Sequence, residues 1–177
     1  MSRTFLAKLR EPDEALYRIQ RALAGYVTYL AACEVNMAFS EYLLYEPILR
    51  VLVHRKYKVA CEAKCDYIEG RITEYKRIDF VAKKGAVHFA LEVKWHRSKI
   101  TTRKLNVTRD HKKLVEFRKQ YPKATAFLCV FGTWKYIHAL KLNPSCYTDL
   151  RMSGRLPEVY AKFKRTQYGC RVFELDK

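Results

Sequence analysis

The stretch Ala124-Thr-Ala-Phe-Leu-Cys-Val-Phe131 constrains the fold most: it is a continuous apolar run of strand length. A helical pattern over residues 105–121, ended by Pro122, leads into it. A strand that is apolar on both faces has to be covered on both, and one reached through a helical crossover pairs parallel with the strand before the helix. The residues upstream supply such strands. Residues 77–81 and 88–94 read as a hairpin joined through Lys83-Lys84-Gly85, and Tyr57-Lys-Val-Ala-Cys-Glu-Ala63 alternates in character as a further strand. The expectation is an α/β chain with a mixed central sheet flanked by helices.

Helical spacing frames these strands. Pro12-Asp13-Glu14 has the proline and acidic first turn of a helix start, and Leu16, Ile19, Leu23, Tyr26, Val27 and Leu30 then recur at helical intervals. This predicts an extra N-terminal helix to about residue 37, packed on the core or used for dimerisation. Ser40-Glu41 opens a second pattern through Leu43, Leu44, Ile48, Leu49, Leu52 and Val53, in which Pro47 either kinks the helix or marks its true first turn. Beyond Gly132 a short helix over residues 134–142, another over 156–165 and a final strand over 170–174 are expected. At 177 residues the chain is long enough for one domain, divided as 1–39 (N-terminal helical segment), 40–131 (core) and 132–177 (C-terminal extension).

The apolar runs are too short for a membrane span, and the first eight residues lack the hydrophobic stretch of a signal peptide. An intracellular protein is expected, cytoplasmic or nucleoid-associated and not secreted. The six cysteines are scattered and read as free thiols, mostly in the core; Cys61 and Cys65 have no second Cys/His pair at zinc spacing.

Within the hairpin, three charged residues stand in apolar surroundings, where charge is costly. Strand alternation puts Glu92 and Lys94 on one side and Leu91 and Val93 on the other, and Asp79 lies on the preceding strand. A cross-face ion pair is the bland account of Glu92 and Lys94, with Asp79 paired to Arg77 or Lys76.

The Asp…Glu-x-Lys set on a hairpin resembles the PD-(D/E)XK nuclease superfamily, with Ile78-Asp79 where the superfamily nominally has proline-aspartate. The resemblance covers residues 40–131 and implies a restriction-endonuclease-like αβββαβ core. It implies a metal-dependent endonuclease that hydrolyses DNA phosphodiester bonds, with Mg²⁺ as cofactor and Mn²⁺ as a substitute. Asp79, Glu92 and the carbonyl of Val93 would be the oxygen ligands that a hard cation prefers. Lys94 would orient or deprotonate the attacking water and offset charge on the phosphate, with a lowered pKa favouring the base role. Members of the superfamily often add a helix glutamate, here Glu46 or Glu41, with Glu46 favoured because the clean apolar helix begins there. Glu62, on the preceding strand, is expected to be a solvated residue more than a ligand.

Charge agrees with a polyanionic partner. Thirty-five Lys and Arg against eighteen Asp and Glu leave a formal +17, which points to nucleic acid, DNA first. Residues 97–119 hold nine basic residues against Asp110 and Glu116; of these Arg97, Lys99, Arg103, Lys104, Arg109, Lys112 and Lys113 are assigned to phosphate binding. A second group, Arg151, Arg155, Lys162, Lys164 and Arg165, with Tyr160 and Phe163 between them, is a candidate extension of the groove. A homodimer that cuts two strands is compatible with the chain's size. The competing reading is a non-catalytic nucleic-acid-binding subunit or scaffold of the same fold, or an RNA-directed nuclease.

Overall fold

The computed structural model describes residues 9–34, 41–65, 77–96 and 107–176. Helix α1 spans Asp13–Ala32 and buries Leu16, Ile19, Leu23 and Val27, the stripe that the sequence spacing marks. A 3-10 turn, Glu41–Leu44, runs into α2, Tyr45–His54, which buries Ile48 and Leu52. Pro47 is the third residue of α2, where the backbone N–H has no intrahelical acceptor, so the proline marks a first turn.

Seven strands form one mixed sheet: β1 Lys58–Lys64, β2 Arg77–Lys84, β3 Val87–His96, β4 Thr125–Thr133, β5 Tyr147–Asp149, β6 Tyr160–Phe163 and β7 Thr166–Leu175. The order is β1-β2-β3-β4-β7-β5, with β6 also on β7. The β1/β2 and β2/β3 pairs are antiparallel, and β3/β4 is parallel, crossed over by α3, Thr108–Gln120. The β2–β3 hairpin closes over Gly85, whose φ of 56° disfavours a side chain.

The apolar strand β4 separates two cores. Phe127, Cys129 and Phe131 face the cluster under α1 and α2, together with Phe80, Phe89 and Val172. Ala126, Leu128 and Val130 face the cluster under α3 and the short α4, Trp134–Ile137, with Leu114, Phe117 and Phe173. This two-sided burial is why β4 reads as unbroken hydrophobic sequence. On β3, Phe89, Leu91 and Val93 join the first cluster, which turns Glu92 and Lys94 toward α3.

The C-terminal stretch departs from expectation. The helix expected over residues 156–165 is replaced by β6, which turns through Lys164 (φ 52°) and Arg165 into β7. Tyr160 and Phe163 are strand-prone, and the turn lacks the glycine or asparagine that would signal it. The helix expected over 134–142 stops at Ile137, and β5, with only three residues, is absent from the sequence-based expectation. Strand β7 inserts beside β4, so residues 132–177 complete the same sheet as the core. Helix α1 is tied to that strand at two points: buried Gln20 donates to the mid-strand Cys170 carbonyl at 2.9 Å, and Arg155 joins Asp13 to Glu174 near the strand's end.

All six cysteines are free; Cys65, Cys129 and Cys170 are buried, whereas Cys33 and Cys61 are exposed. Among the described residues no helix is long and apolar enough to cross a membrane.

Candidate active site

The site lies where the β2–β3 hairpin parts. Its ladder runs from Lys84↔Val87 to Phe80↔Leu91 and ends there. Past that point Asp79 Oδ2 takes the Val93 N–H at 2.6 Å in place of a backbone acceptor. A strand residue's N–H and C=O leave on the same edge, so the Val93 carbonyl is directed to the opening as well. The Tyr45 hydroxyl, from α2, is 2.5 Å from Asp79 Oδ1 and 2.8 Å from Glu62 Oε1. Glu62 lies on β1 between the pairs Cys61↔Phe80 and Ala63↔Ile78, opposite Asp79, at a left-handed φ of 49°. That conformation is uncommon for a residue with a side chain and persists where the surroundings hold it. One phenolic hydrogen serves one carboxylate; the other gains from the contact only with a proton or a shared cation.

Glu92 is the most buried acid among the described residues, 1% exposed. Its Oε2 accepts from Lys113 Nζ at 2.6 Å, while its Oε1 is buried with no hydrogen-bond partner among the described residues. Lys113 also donates to the Arg77 carbonyl at 3.0 Å and stands 3.6 Å from Asp110 Oδ1. Lys94 is 3.2 Å from Asp110 Oδ2 and 3.9 Å from Glu41 Oε2, and Glu41 Oε1 accepts the Trp95 N–H at 2.9 Å. Five carboxylates, Glu41, Glu62, Asp79, Glu92 and Asp110, thus gather around two ammonium groups in a chain of net charge +17.

Burial pushes the Asp79 carboxyl up to about 6, against the lowering effects of the Tyr45 hydroxyl, the Val93 N–H and Lys113. Burial and then the neighbouring Asp79 hold Glu92 well above the usual carboxylate range. For Lys94 burial favours the neutral amine, but Asp110 and Glu41 outweigh it and raise the pKa. In the metal-free protein these two carboxylates thus favour the ammonium form of Lys94, opposite in direction to the lowering expected beside a metal.

The structure brings Asp79, Glu92 and Lys94 to one opening. It resolves the helix glutamate against the favoured choice: Glu46 is 48% exposed and pairs with Arg50 on the outer face of α2, while Glu41 reaches Lys94. The 3-10 turn before α2 makes the difference, because it points the residue before the regular helix back at β3. Lys113 is corrected too; it lies inside the acid cluster, 13% exposed, and not along a phosphate groove. Arg109 and Lys112 are exposed on α3. Arg97, Lys99, Arg103 and Lys104 lie outside the described residues. His111 is held by the Tyr147 hydroxyl at 3.2 Å. In the second basic group Arg151 pairs with Glu158 and Arg155 with Asp13 and Glu174, which commits both to structural contacts.

Tyr45, Asp110 and the role of Lys113 escaped the sequence reading. A signal existed for each. Glu41 and Tyr45 are four residues apart, a helical interval that continues the apolar face of α2 with polar tips. Asp110 and Lys113 extend the buried Leu114–Phe117 stripe of α3 by one turn, so a charged pair occupies a core-facing position.

No group of three His, Cys, Asp or Glu side chains stands at metal-ligating spacing among the described residues. The oxygens of the expected ligand set, the Asp79 and Glu92 carboxylates with the Val93 carbonyl, are of the kind a hard cation prefers. The unpartnered Glu92 Oε1, buried inside a surplus of negative charge, is the observation that a divalent cation would satisfy. Comparison with protein-family models, with curated proteins and with solved structures finds no match, so the reading of this site rests on its own geometry.

Proposed function

We propose that the chain is a metal-dependent endonuclease with a restriction-endonuclease-like core, acting on DNA. The element order helix, three strands, helix, strand, with an antiparallel hairpin and a parallel fourth strand, supports the fold reading. The observation that carries the function is the buried Glu92 with a partnerless oxygen beside Asp79, at the parted end of the hairpin, in a strongly basic chain. Asp79, Glu92 and the Val93 carbonyl would hold Mg²⁺ or Mn²⁺. When bound, that ion supplies Lewis-acid charge at the scissile phosphate and acidifies a water.

The chain's own groups prepare the reaction. Tyr45 and the Val93 N–H fix both oxygens of Asp79, so the carboxylate does not rotate. Asp110 and Glu41 keep Lys94 charged, and its ammonium neutralises the negative charge that builds on the phosphate oxygens as water adds and the P–O bond breaks. Exposed Arg109 and Lys112 grip the flanking backbone.

A second reading, a binding subunit that does not cleave, draws on the Glu92–Lys113 ion pair, because each of these charges already has a protein partner. Incubation with supercoiled plasmid, linear duplex, single-stranded DNA and RNA in Mg²⁺, Mn²⁺ or EDTA separates the two. The nuclease reading expects metal-dependent cleavage that Asp79→Asn and Glu92→Gln abolish with binding retained. Binding without cleavage on every substrate, or full cleavage by both variants, overturns it.

A further inference from the structure

We infer that Lys113 is the resident cation of the acid pocket and couples metal binding to nucleic-acid binding at the proposed nuclease site. The inference rests on that reading of Asp79 and Glu92. The ammonium of Lys113 has an oxygen environment of the kind a metal ion seeks: Glu92 Oε2 at 2.6 Å, the Arg77 carbonyl at 3.0 Å and Asp110 Oδ1 at 3.6 Å. Its position is built into the fold. Lys113 follows Asp110 by three residues on α3, and Leu114 and Phe117 pin that face of the helix to the sheet.

An ammonium and a divalent cation compete for Glu92. Both carry positive charge, and a metal ion on Glu92 and Asp79 repels Lys113 from the place it occupies. Conversely, without either cation Glu92 is a buried charge with no partner on either oxygen. The metal-free protein is therefore held together at this point by Lys113, at the expense of metal affinity. Displaced from Glu92, the Lys113 ammonium on its four-carbon side chain needs another anion, and the phosphate of a nucleic acid bound at the same site supplies it. Nucleic acid and metal then bind with positive, reciprocal coupling: each makes room for the other.

The test is a Mn²⁺ titration followed by the paramagnetic signal of the free ion, on chelator-treated full-length protein. It is run alone and with a phosphorothioate duplex, which keeps the backbone charge and resists hydrolysis. The wild-type chain is expected to bind Mn²⁺ roughly tenfold more tightly with the duplex. Lys113→Met is expected to bind it roughly tenfold more tightly without the duplex and to gain little more on adding it, while Lys113→Arg behaves as wild type. Unchanged or weaker Mn²⁺ binding by Lys113→Met, or no effect of the duplex on the wild type, overturns the inference. Should Lys113→Met fail to fold, Lys113→Gln, which keeps a donor to the Glu92 carboxylate without the charge, takes its place with the same expectations. Binding that Glu92→Gln abolishes but that shows no coupling leaves the metal site standing and removes Lys113 from it. Absence of Mn²⁺ binding under both conditions overturns the metal reading itself.

Discussion

Asp79 shows what the fold sacrifices to assemble its acids. With its carboxyl raised from 3.8 to about 6, the folded metal-free protein holds a proton on Asp79 that the unfolded chain has released, so stability falls as pH rises between those values and is level above them. The loss amounts to about 3 kcal/mol at neutral pH. Asparagine fits the same place: its oxygen accepts the Val93 N–H, and its amide donates to Tyr45, whose hydroxyl then donates to Glu62. Asp79→Asn should therefore raise the unfolding free energy at pH 7.5 while flattening its fall between pH 4 and pH 6, as read by urea denaturation in EDTA. A variant less stable than wild type at both ends of that range would contradict the account. Sequence pattern located Asp79, Glu92 and Lys94, because charges on an apolar strand stand out. It did not locate Tyr45 or the inward role of Lys113, because a tyrosine on a helix and a lysine in a basic stretch look ordinary until the sheet is beneath them.

At the level of elements, the sheet is tightest where three strands come level. His96, Gly132 and Gly169 are register partners across β3, β4 and β7. A Cβ on Gly169 would stand 2.6 Å from the Trp134 ring and 2.7 Å from the Val159 carbonyl, and one on Gly132 would stand 2.7 Å from the His96 carbonyl. The glycines let α4 and the loop before β6 close over the sheet. Gly169→Ala should cost about 2 kcal/mol, since backbone has to move, and the drop in denaturation midpoint measures it. The hairpin, α3 and β4 were legible because each has a clear period, terminator or turn glycine. Strands β5 and β6 were not: one is three residues long, and the other is paired only through β7, a partner ten residues long that follows it. Short strands of this kind are specified by the sheet they join more than by their own residues.

For the whole molecule, a chain of net charge +17 carries a cluster of five carboxylates, so under the proposed function association and chemistry would use opposite fields. Basic residues set affinity for a polyanion through released counterions, and removing one that touches phosphate lowers the salt slope by about one. Lys112→Ala should weaken DNA binding alike on all sequences with that change in slope, measured by fluorescence anisotropy across a salt series; an unchanged slope would exclude α3 from the interface. The left-handed Glu62 has a second consequence. It interrupts the pairing of β1, the outer strand among the described residues, at one position, and exposed Lys58 and Lys64 stand on either side, whereas the opposite border is divided between the short β5 and β6. Interruption, lysines and shortness are the features that keep a free sheet margin from recruiting a foreign strand. The backbone twist that brings a carboxylate to Tyr45 thus also guards a crowded, freshly made chain against edge-to-edge aggregation.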